Sequence, residues 1–546
     1  MATVADRRYR GLDLRGSNLN GSRYSGGLVI KKHSTFWYLV SLTAGVLFCA
    51  VLLRDLSAPW VFNDDYNGAF WSQAAHNFFR AGWLSTAGVP APLYFGQLPI
   101  PPEELYVHHP TLWPALFTLA TRFLGESESA ARLVPITLTL LSAAGLWLLV
   151  HRTLGLRCAA LTLLMFAALP MQLHYGRMVN FEALELTLIV GAALCFERWR
   201  ATDQRAWAGA FSFCLLLSML TDWLGFLLTL ILAAKLFLEP KQRKVSLALL
   251  GLMTAAGILF LIQIRLANPD AWAELARAFQ MRLGNGAVKT AAVTWPLWAR
   301  TVSSYLVVFY LPVSWVLAFG GVALCFWRRL KLSSGELRLL EIAGGLFLMN
   351  FFYMVGLRNQ SYVHDFSSFY LSVPLAIMAG FALNWIIETF SIGRGMVTSL
   401  ATPAILILAG GLMATSIHSL KTIDSPFGIL DDADDEPIEL MTSLGKVIQK
   451  KFAPGRPIIC NFDESNSPLA FYSQHPLITG IHSEQEWEDA VADEPDLAGE
   501  VIWLNGPEAE RIISKLPPGK RSEIRIDGVP FCFWTPAHAK SEHKNS

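Results

Sequence analysis

Long apolar runs separated by short polar segments fill the first three quarters of the chain. The first run, Ser34 to Leu53, reads STFWYLVSLTAGVLFCAVLL and contains no charged residue. About 20 consecutive apolar residues can cross the hydrocarbon core of a bilayer as a helix. The pattern therefore predicts a polytopic α-helical membrane protein, and the length of this first run favours a retained anchor over a signal peptide.

Ten further apolar runs follow, so about eleven membrane-spanning helices are predicted. Their approximate bounds are 133–150, 158–173, 181–196, 207–220, 223–238, 245–264, 305–327, 339–357, 366–387 and 396–417. Another apolar segment, Pro110 to Gly125, is too short to span comfortably and contains Pro114 and Arg122. Counting it as a span would put the later basic loops outside, so we expect an interfacial helix there.

Charges in the loops predict the orientation, because Lys and Arg concentrate on the cytoplasmic side. Seven basic residues precede the first span, and with eleven spans the same side receives HRTLGLR, ERWRATDQR, EPKQRK and WRRLKLSSGELR. We therefore expect a cytoplasmic basic tail over residues 1–33 and a transmembrane domain over 34–418. The outer loop 54–132 and residues 419–546 would then lie on the extracytoplasmic, periplasmic side.

The chain changes character beyond about residue 420. An acidic linker, DDADDEPIE, precedes four short β-like runs, RPIICNF, EVIWLNG, SEIRIDG and VPFCFWTP, with helix-like stretches between them. This alternation predicts a small soluble α/β domain. Cys460 and Cys532 lie in it, but seven scattered cysteines do not form a disulfide framework, and a bridge between these two is not expected.

The amino-acid composition supports the prediction of a membrane protein and limits the classes of binding partner that are expected. Charged residues make up 16% of the chain and hydrophobic residues 53%, whereas a soluble domain is about 25% charged. The net charge is +1, so overall charge indicates no partner, and no nucleic-acid partner is expected. Membrane lipids are the one partner that composition implies.

The first candidate catalytic residues are Asp64 and Asp65, which follow the first span in the segment FNDDYNGAF. Asn63 and Asp64 could simply form a turn in a solvated loop. The alternative is a general base held at the membrane face to meet a substrate hydroxyl. A third interpretation, a cation bound by the two carboxylates and scattered histidines, has no diagnostic spacing behind it.

Other ionisable residues gather at the outer ends of the spans. Glu182 and Glu185 share a helix face at the start of the fourth span, with Asn180 as the expected N-cap. Ionisable residues at the edge of a span are functional candidates. The competing interpretation is a structural carboxylate paired with a nearby arginine, and it applies most strongly to Asp222. His108 and His109 could instead shape the turn before a proline.

The order of these features resembles the C-type glycosyltransferase superfamily. An anchor span and an acidic pair are followed by AAHNFFRAGWL, HHPTLWP, RFLGESESAARLVP and the basic turn HRTLGLR, and RNQSYVHDFSSFYLSVPLA resembles a later motif of the family. The most similar branch contains protein O-mannosyltransferases and enzymes that attach aminoarabinose to lipid A. The resemblance covers roughly residues 34 to 390. Two departures are an Asp-Asp pair where the family usually has Asp-Glu, and Thr111 where it has proline.

The resemblance implies inverting transfer of a hexosyl or pentosyl group at the outer face of a bacterial inner membrane. The donor would be a polyprenyl-phosphate sugar, and the acceptor a hydroxyl of a glycan, lipid or protein. Asp64 occupies the place of the family's catalytic base, and Asp65 would support it, although the departures leave their roles exchangeable. Guanidinium groups at outer span ends suit the donor phosphate, so no metal or other cofactor is expected, with a divalent cation as the alternative. The phosphate-binding candidates are Arg177 and Arg358, and the substrate-binding candidates are His108, His109, Glu182, Asp222, Tyr362 and His364.

Two other functions compete with transfer. A transporter or flippase of lipid-linked sugars would show broken spans in paired halves and ionisable residues near mid-membrane. Here the ionisable residues cluster at one face, and the halves show no symmetry, which favours surface chemistry. A non-catalytic scaffold whose outer domain binds a partner is opposed only by the acidic pair.

Overall fold

Helices form most of the chain up to residue 423 in the computed structural model. The described residues are 26–61, 65–284, 293–328, 331–391, 397–423, 438–452, 458–460, 467–478, 481, 483–493, 501–505, 513–514, 518–526 and 528–536. The helices before residue 220 are α1 (Gly26–Leu52), α2 (Asp65–Ala81), α3 (Leu112–Leu124), α4 (Glu128–Leu154), α5 (Leu156–Ala167), α6 (Pro170–Tyr175), α7 (Glu182–Thr202) and α8 (Arg205–Met219). Those that follow are α9 (Trp223–Leu238), α10 (Arg243–Ala267), α11 (Ala271–Leu283), α12 (Trp295–Tyr310), α13 (Pro312–Arg328), α14 (Ser334–Gly356), α15 (Arg358–Val363), α16 (Ser372–Ser391) and α17 (Val397–Ile423).

Every predicted apolar run lies on one or two of these helices. Judged by length and hydropathy, five helical segments in the described part of the chain could cross a membrane, and the bent pair α12–α13 would be a sixth. Several other apolar helices, such as α5, α8 and α9, are shorter than a full span. The chain is therefore a multi-pass helical membrane protein, and the count of eleven spans stays a prediction.

The run at 305–327, predicted as one span, is two helices. The axes of α12 and α13 differ by 92°. Pro312 has no N–H to continue the hydrogen-bond ladder, and its ring disfavours helical geometry in the residue before it. Leu311, the residue before Pro312, has a φ of 57°. The apolar run that is predicted as one span is therefore broken between α12 and α13, because a local backbone signal interrupts the helix.

The segment between α1 and α4 is built from short helices packed on the other helices. The helix predicted between Pro110 and Gly125 is present as α3, and it buries Trp113 and Phe117. The N–H of Leu112 donates to the carbonyl of Leu220 at 3.0 Å, which fixes the start of α3 against the start of α9. This contact brings the His108–His109 segment next to Asp222.

A mixed sheet follows the helical part. Helices α18 (Ile438–Lys451), α19 (Ser467–Ser473) and α20 (Glu484–Asp493) accompany strands β1 (Ile458–Cys460), β2 (Leu477–Ile478), β3 (Val501–Asn505), β4 (Gly519–Ile526) and β5 (Val529–Pro536). The order is β2-β1-β3-β5-β4, with β1 parallel to both neighbours and β5 antiparallel to both of its own. Leu444 and Ile448 of α18 pack with Phe531 and Phe533 of β5. We call the described residues between 438 and 536 the C-terminal αβ unit.

Neither of the two cysteines of this unit is part of a disulfide bond. Cys460 lies on β1 and Cys532 on β5, with β3 between them. Adjacent strands are about 4.8 Å apart, so the two Cα atoms are separated by more than the roughly 7 Å that a disulfide tolerates. The sheet order therefore excludes the bridge, as expected from the sequence.

The predicted orientation can be checked with single cysteines in a cysteine-free background. Gln485 on α20 and Lys241 between α9 and α10 are both exposed. We expect Gln485→Cys to react with a membrane-impermeant maleimide in intact cells, and Lys241→Cys to react only after permeabilisation. If only Lys241→Cys were labelled in intact cells, the protein would have the opposite orientation and the prediction would be wrong.

Candidate active site

Arg132, near the start of α4, organises the chain that leads into α2. Arg132 is 1% exposed. Its Nη2 donates to both carboxylate oxygens of Asp65, at 2.9 and 3.0 Å, and to the carbonyl of Pro59 at 3.2 Å. Its Nη1 donates to the carbonyls of Leu56, at 3.2 Å, and Ala58. The buried charge is therefore both neutralised and hydrogen-bonded, which a buried ion requires.

Asp65 is the first residue of α2, and both of its oxygens are engaged. Besides Arg132, Oδ2 accepts the backbone N–H of Val61 at 2.9 Å. Asp65 thus closes a short loop in front of α2 as well as pairing with a cation. Asp64 lies outside the described residues, but its Cα is joined to that of Asp65 by one peptide unit of about 3.8 Å.

From α2, polar contacts continue to the turn before α7. The side-chain amide of Asn67 donates to the Met178 sulfur at 3.5 Å, and Trp71 Nε1 donates to Asn180 Oδ1 at 2.7 Å. Asn180 Nδ2 in turn donates to Glu182 Oε1 at 3.3 Å. Helix α2 and the turn before α7 are therefore in direct contact.

Asn180 is not the N-cap of α7, contrary to expectation. The N-cap position falls on Phe181, and no side chain caps the helix there. The side chain of Asn180 is bonded instead to Trp71 and Glu182. Helix-cap preference is a local rule, and here a tertiary contact with α2 outweighed it.

Glu182 and Glu185 are buried on the same face of α7. Glu182 accepts from Asn180, and Glu185 accepts from the Ser218 hydroxyl. One oxygen of each carboxyl group, Oε2, is buried without a partner among the described residues. In that part of the chain neither glutamate pairs with an arginine, which the structural interpretation of these residues required.

His109 joins a carboxylate to a guanidinium. Its Nδ1 lies 3.0 Å from Asp222 Oδ1, and its Nε2 lies 3.2 Å from Arg282 Nη2. Both contacts are satisfied if Nδ1–H donates to the carboxylate and Nε2 accepts from the arginine. Burial lowers the pKa of His109, and although the Asp222 hydrogen bond opposes this, the Arg282 charge reinforces it. A neutral imidazole therefore orients Arg282 from one side.

Arg282 is held in two places and keeps an unused donor. Its Nε donates to Gln360 Oε1 at 3.3 Å, and its Nη2 donates to His109. Its Nη1 is buried without a hydrogen-bond partner in the described structure. A fixed guanidinium with an unsatisfied N–H is suited to bind an oxyanion.

Aromatic rings connect His109 to α2 and to the turn before α7. Phe181, next to Asn180, stacks on His109 with centroids 4.6 Å apart, and Tyr106 packs on both His109 and Trp71 at 6.0 Å. The resulting continuous set of contacts is called here the outer seam. Its members are Asp65, Asn67, Trp71, Asn180, Glu182, His109, Asp222 and Arg282.

The two predicted phosphate ligands lie in different surroundings. Arg177 is buried, and its Nη2 donates to the carbonyl of Asp55 at 3.3 Å. Arg358 lies over the ring of Trp295 at 4.7 Å, and its Nε has no partner among the described residues. Arg358 also approaches Gly284 at the end of α11, where a φ of 80° favours glycine. Arg358 therefore lies beside the same end of α11 that carries Arg282.

The remaining predicted ligands are spread around this end of the molecule. His108 Nε2 lies 3.3 Å from Glu274, and its carbonyl accepts from Trp223. The carbonyl of Tyr362 accepts from the Tyr305 hydroxyl at 2.9 Å, which leaves the role of the Tyr362 ring undefined. His364 stacks on Phe366 with centroids 4.9 Å apart. No set of three or more His, Cys, Asp or Glu side chains that could hold a metal ion occurs in the described part of the chain.

Two important arginines were not predicted from the sequence. Arg132 stands at the edge of an apolar run, within RFLGESESAARLVP, so the rule for ionisable residues at span ends could have identified it. Arg282 is one of several basic residues in the 265–304 loop, and no sequence pattern distinguishes it. Its importance follows only from its contact with His109.

The fold and this site together define a class: a multi-pass membrane protein whose buried carboxylates and arginines gather in short helices at one end of the helical part. Residues 108–266 match the family model described as dolichyl-phosphate-mannose-protein mannosyltransferase. No curated protein sequence matches the chain with significance.

Solved structures extend the likeness to almost the whole chain. ArnT from Cupriavidus metallidurans, in a crystal structure bound to undecaprenyl phosphate, matches with a TM-score of 0.60 and 14% identity, over 92% of this chain and 99% of that one. The archaeal oligosaccharyltransferase AglB from Archaeoglobus fulgidus, in complex with an inhibitory peptide and a dolichol-phosphate, matches with a TM-score of 0.56 and 12% identity, over 91% and 74%. The chain therefore has the fold of the C-type glycosyltransferases, and the resemblance seen in its motifs is confirmed.

Acid should destabilise the fold through His108 and His364. Burial, with the nearby Arg282 and His109 in support, lowers the pKa of each to about 4, against about 6.5 in an unfolded chain. The unfolded state therefore binds more protons, so stability is fully present above pH ~6.5 and is lost as the pH falls toward about 4, by at most ~2 kcal/mol per histidine at pH 5.

Melting temperatures at pH 7 and pH 5 test this prediction. We expect the melting temperature of the double variant His108→Gln/His364→Gln to fall less between pH 7 and pH 5 than that of the unmodified protein. His76→Gln, a change at an exposed histidine paired with Glu126, should keep the original dependence. An equally steep loss in the double variant would contradict the assignment.

Proposed function

We propose that this protein is an inverting glycosyltransferase that takes a sugar from a polyprenyl-phosphate donor. The acceptor is a hydroxyl of a glycan, lipid or protein at the outer face of a bacterial inner membrane. The proposal includes the eleven-span topology with the N-terminus cytoplasmic and the C-terminal αβ unit periplasmic. The observation that carries it is the outer seam, which connects Asp65 of the acidic pair to a guanidinium with an unused donor.

The reaction needs one base and one centre of positive charge. The acceptor oxygen attacks the anomeric carbon, the bond from that carbon to the phosphate oxygen breaks, and the polyprenyl phosphate leaves with the bonding electrons. The acceptor proton passes to a carboxylate, and general base catalysis of this kind contributes roughly 10²–10⁴-fold. Attack from the face opposite the phosphate inverts the anomeric configuration.

Asp64 is the proposed base. Asp65 already accepts hydrogen bonds from Arg132 and Val61 through both oxygens, so it suits a supporting role. Asp64 is its chain neighbour, one peptide unit away. In the families that this sequence resembles, the first acidic residue of the pair is the catalytic one.

Guanidinium groups would offset the charge that develops on the leaving phosphate. Arg358 and Arg177 remain candidates, and the unused Nη1 of Arg282 makes it a third. Electrostatic stabilisation of this type is worth roughly 3–4 kcal/mol per donor. The fold likeness to structures that hold undecaprenyl phosphate or dolichol-phosphate supports a lipid phosphate as the ligand. This arrangement needs no metal.

The six substrate-binding candidates divide into two groups. His109 and Asp222 are bonded to Arg282 or to each other, so they would position the phosphate ligand. His108, Glu182, Tyr362 and His364 are proposed to line the sugar and acceptor sites.

Variants of the acidic pair test the base. Asp64→Asn keeps the size of the side chain but cannot take the proton, so single-turnover transfer with saturating donor should fall at least ~10²-fold. Asp65→Asn should also lower the rate, but less. If Asp64→Asn were active and Asp65→Asn inactive, Asp65 would be the base and Asp64 the supporting carboxylate. If both were fully active, the proposed mechanism would fail.

Arginine variants test the phosphate site. We expect Arg282→Ala and Arg358→Ala to lower donor turnover by at least ~10²-fold, because each removes a charge facing the leaving group. Arg177→Ala should do the same if it reaches the donor. Arg277→Ala, an exposed position on the same helix as Arg282, should be nearly neutral.

The transfer assay in the presence of a chelator distinguishes arginine from a bound divalent cation as the source of positive charge at the phosphate. Activity that persists in excess EDTA, with loss in the arginine variants, supports the guanidinium assignment. Loss in EDTA that Mg²⁺ or Mn²⁺ restores would assign the role to a cation instead.

A further inference from the structure

Two side chains of the C-terminal αβ unit form hydrogen bonds to the backbone of Trp60, which lies five residues before Asp65. The Tyr472 hydroxyl of α19 accepts the N–H of Trp60 at 2.9 Å. The Thr442 hydroxyl of α18 donates to the carbonyl of the same residue at 2.5 Å. Both backbone polar groups of Trp60 are therefore bonded by side chains that lie 412 and 382 residues further along the chain.

The side chain of Trp60 is equally confined. It is 1% exposed, and its ring lies under the guanidinium of Arg132 at 4.3 Å. On its other side the ring touches α2 at Gly68, where an added Cβ would come within 2.5 Å of the ring. Trp60 thus fills the space between the start of α2 and the arginine that holds Asp65.

Tyr472 also reaches the helix that carries Arg132. Its hydroxyl donates to Glu128 Oε1 at 2.7 Å, and Glu128 is the first residue of α4. Lys446 of α18 lies over the Tyr472 ring at 4.7 Å. One hydroxyl therefore ties together the loop before the acidic pair, the start of α4 and the C-terminal αβ unit.

We propose that Tyr472 and Thr442 are positioning residues for the acidic pair. They fix the backbone at Trp60, Trp60 covers Arg132, and Arg132 sets the carboxylate of Asp65. Neither hydroxyl is bonded to the outer seam itself, so the effect acts through Trp60 and Arg132. The kinetic part of this inference rests on the proposed transfer function.

The size of the effect follows from how sharply catalysis depends on geometry. A misplacement of about 1 Å at a reacting group can cost about 10²-fold in rate. Loss of the Trp60 contacts would also let water reach the buried pair of Arg132 and Asp65, whose attraction is stronger in a low-dielectric site. A positioning role therefore predicts a loss in kcat with little change in the KM for the donor.

Tyr472→Phe is the direct test, because it removes both hydrogen bonds and keeps the ring. We expect kcat to fall about 10-fold or more with the donor KM within about twofold of normal. Thr442→Val should act in the same direction, and Thr442→Ser should restore the rate because it restores the hydroxyl.

Gln474→Asn is the matched control in the same interface. Gln474 follows α19, and its side chain bonds to Gln73 of α2 at 3.4 Å without touching Trp60. Its φ of 58° is one that asparagine tolerates. If Gln474→Asn lowered kcat as much as Tyr472→Phe, the cause would be general docking of the unit, and the inference would be wrong.

Hydrogen exchange gives a readout that does not need activity. The Trp60 amide donates to Tyr472 and the Val61 amide donates to Asp65, so Tyr472→Phe should speed exchange at both, whereas Gln474→Asn should not. Faster exchange in a protein that transfers no sugar at all would overturn the proposed function but keep the structural link. Normal kcat and normal exchange in both Tyr472→Phe and Thr442→Val would overturn the inference.

Discussion

The buried ion pair between Arg132 and Asp65 is the constraint on which the rest of the site depends. Removing two charges from water costs several kcal/mol per ion, and their attraction compensates only when the geometry is good and the remaining donors are bonded. Here the carbonyls of Leu56, Ala58 and Pro59 accept the other guanidinium protons. The chain before α2 must therefore wrap around the arginine. That path buries Trp60 and brings Asp65 to the start of α2.

The contact between His109 and Arg282 solves a different electrostatic problem. If Arg282 paired directly with Asp222, their charges would cancel and the guanidinium would have little affinity left for a phosphate. The imidazole lies between them and bonds to both. The carboxylate fixes the orientation of the imidazole, and the imidazole fixes that of the guanidinium. Because the imidazole is neutral, it does not cancel the charge of the guanidinium. The unsatisfied Nη1 is what remains available to a ligand.

The position of these polar groups follows from the membrane environment. Unsatisfied polar groups are costly in hydrocarbon, so irregular backbone and buried charges are tolerated only where protein surrounds them. The short helices α2, α3, α6, α11 and α15 supply that cover at one end of the helical part. The C-terminal αβ unit adds a further layer over Trp60. The polar groups enclosed in this way are shielded from bulk water.

The sequence by itself determined the helical membrane architecture, the helix between Pro110 and Gly125, the β-like runs and the family likeness. These features depend on local periodicity, on turn and proline signals, and on the order of motifs along the chain. Even the bend at Pro312 had a local signal, although the continuous apolar run concealed it.

Only the tertiary structure decided which charges meet. Arg132 and Asp65 are 67 residues apart, His109 and Asp222 are 113 apart, and His109 and Arg282 are 173 apart. Such pairs depend on how helices pack and not on any repeat within one helix. For the same reason Asn180, a reasonable N-cap by its position, bonds across to α2 instead. Local rules specify what each segment can form, and packing decides which partner each polar group obtains.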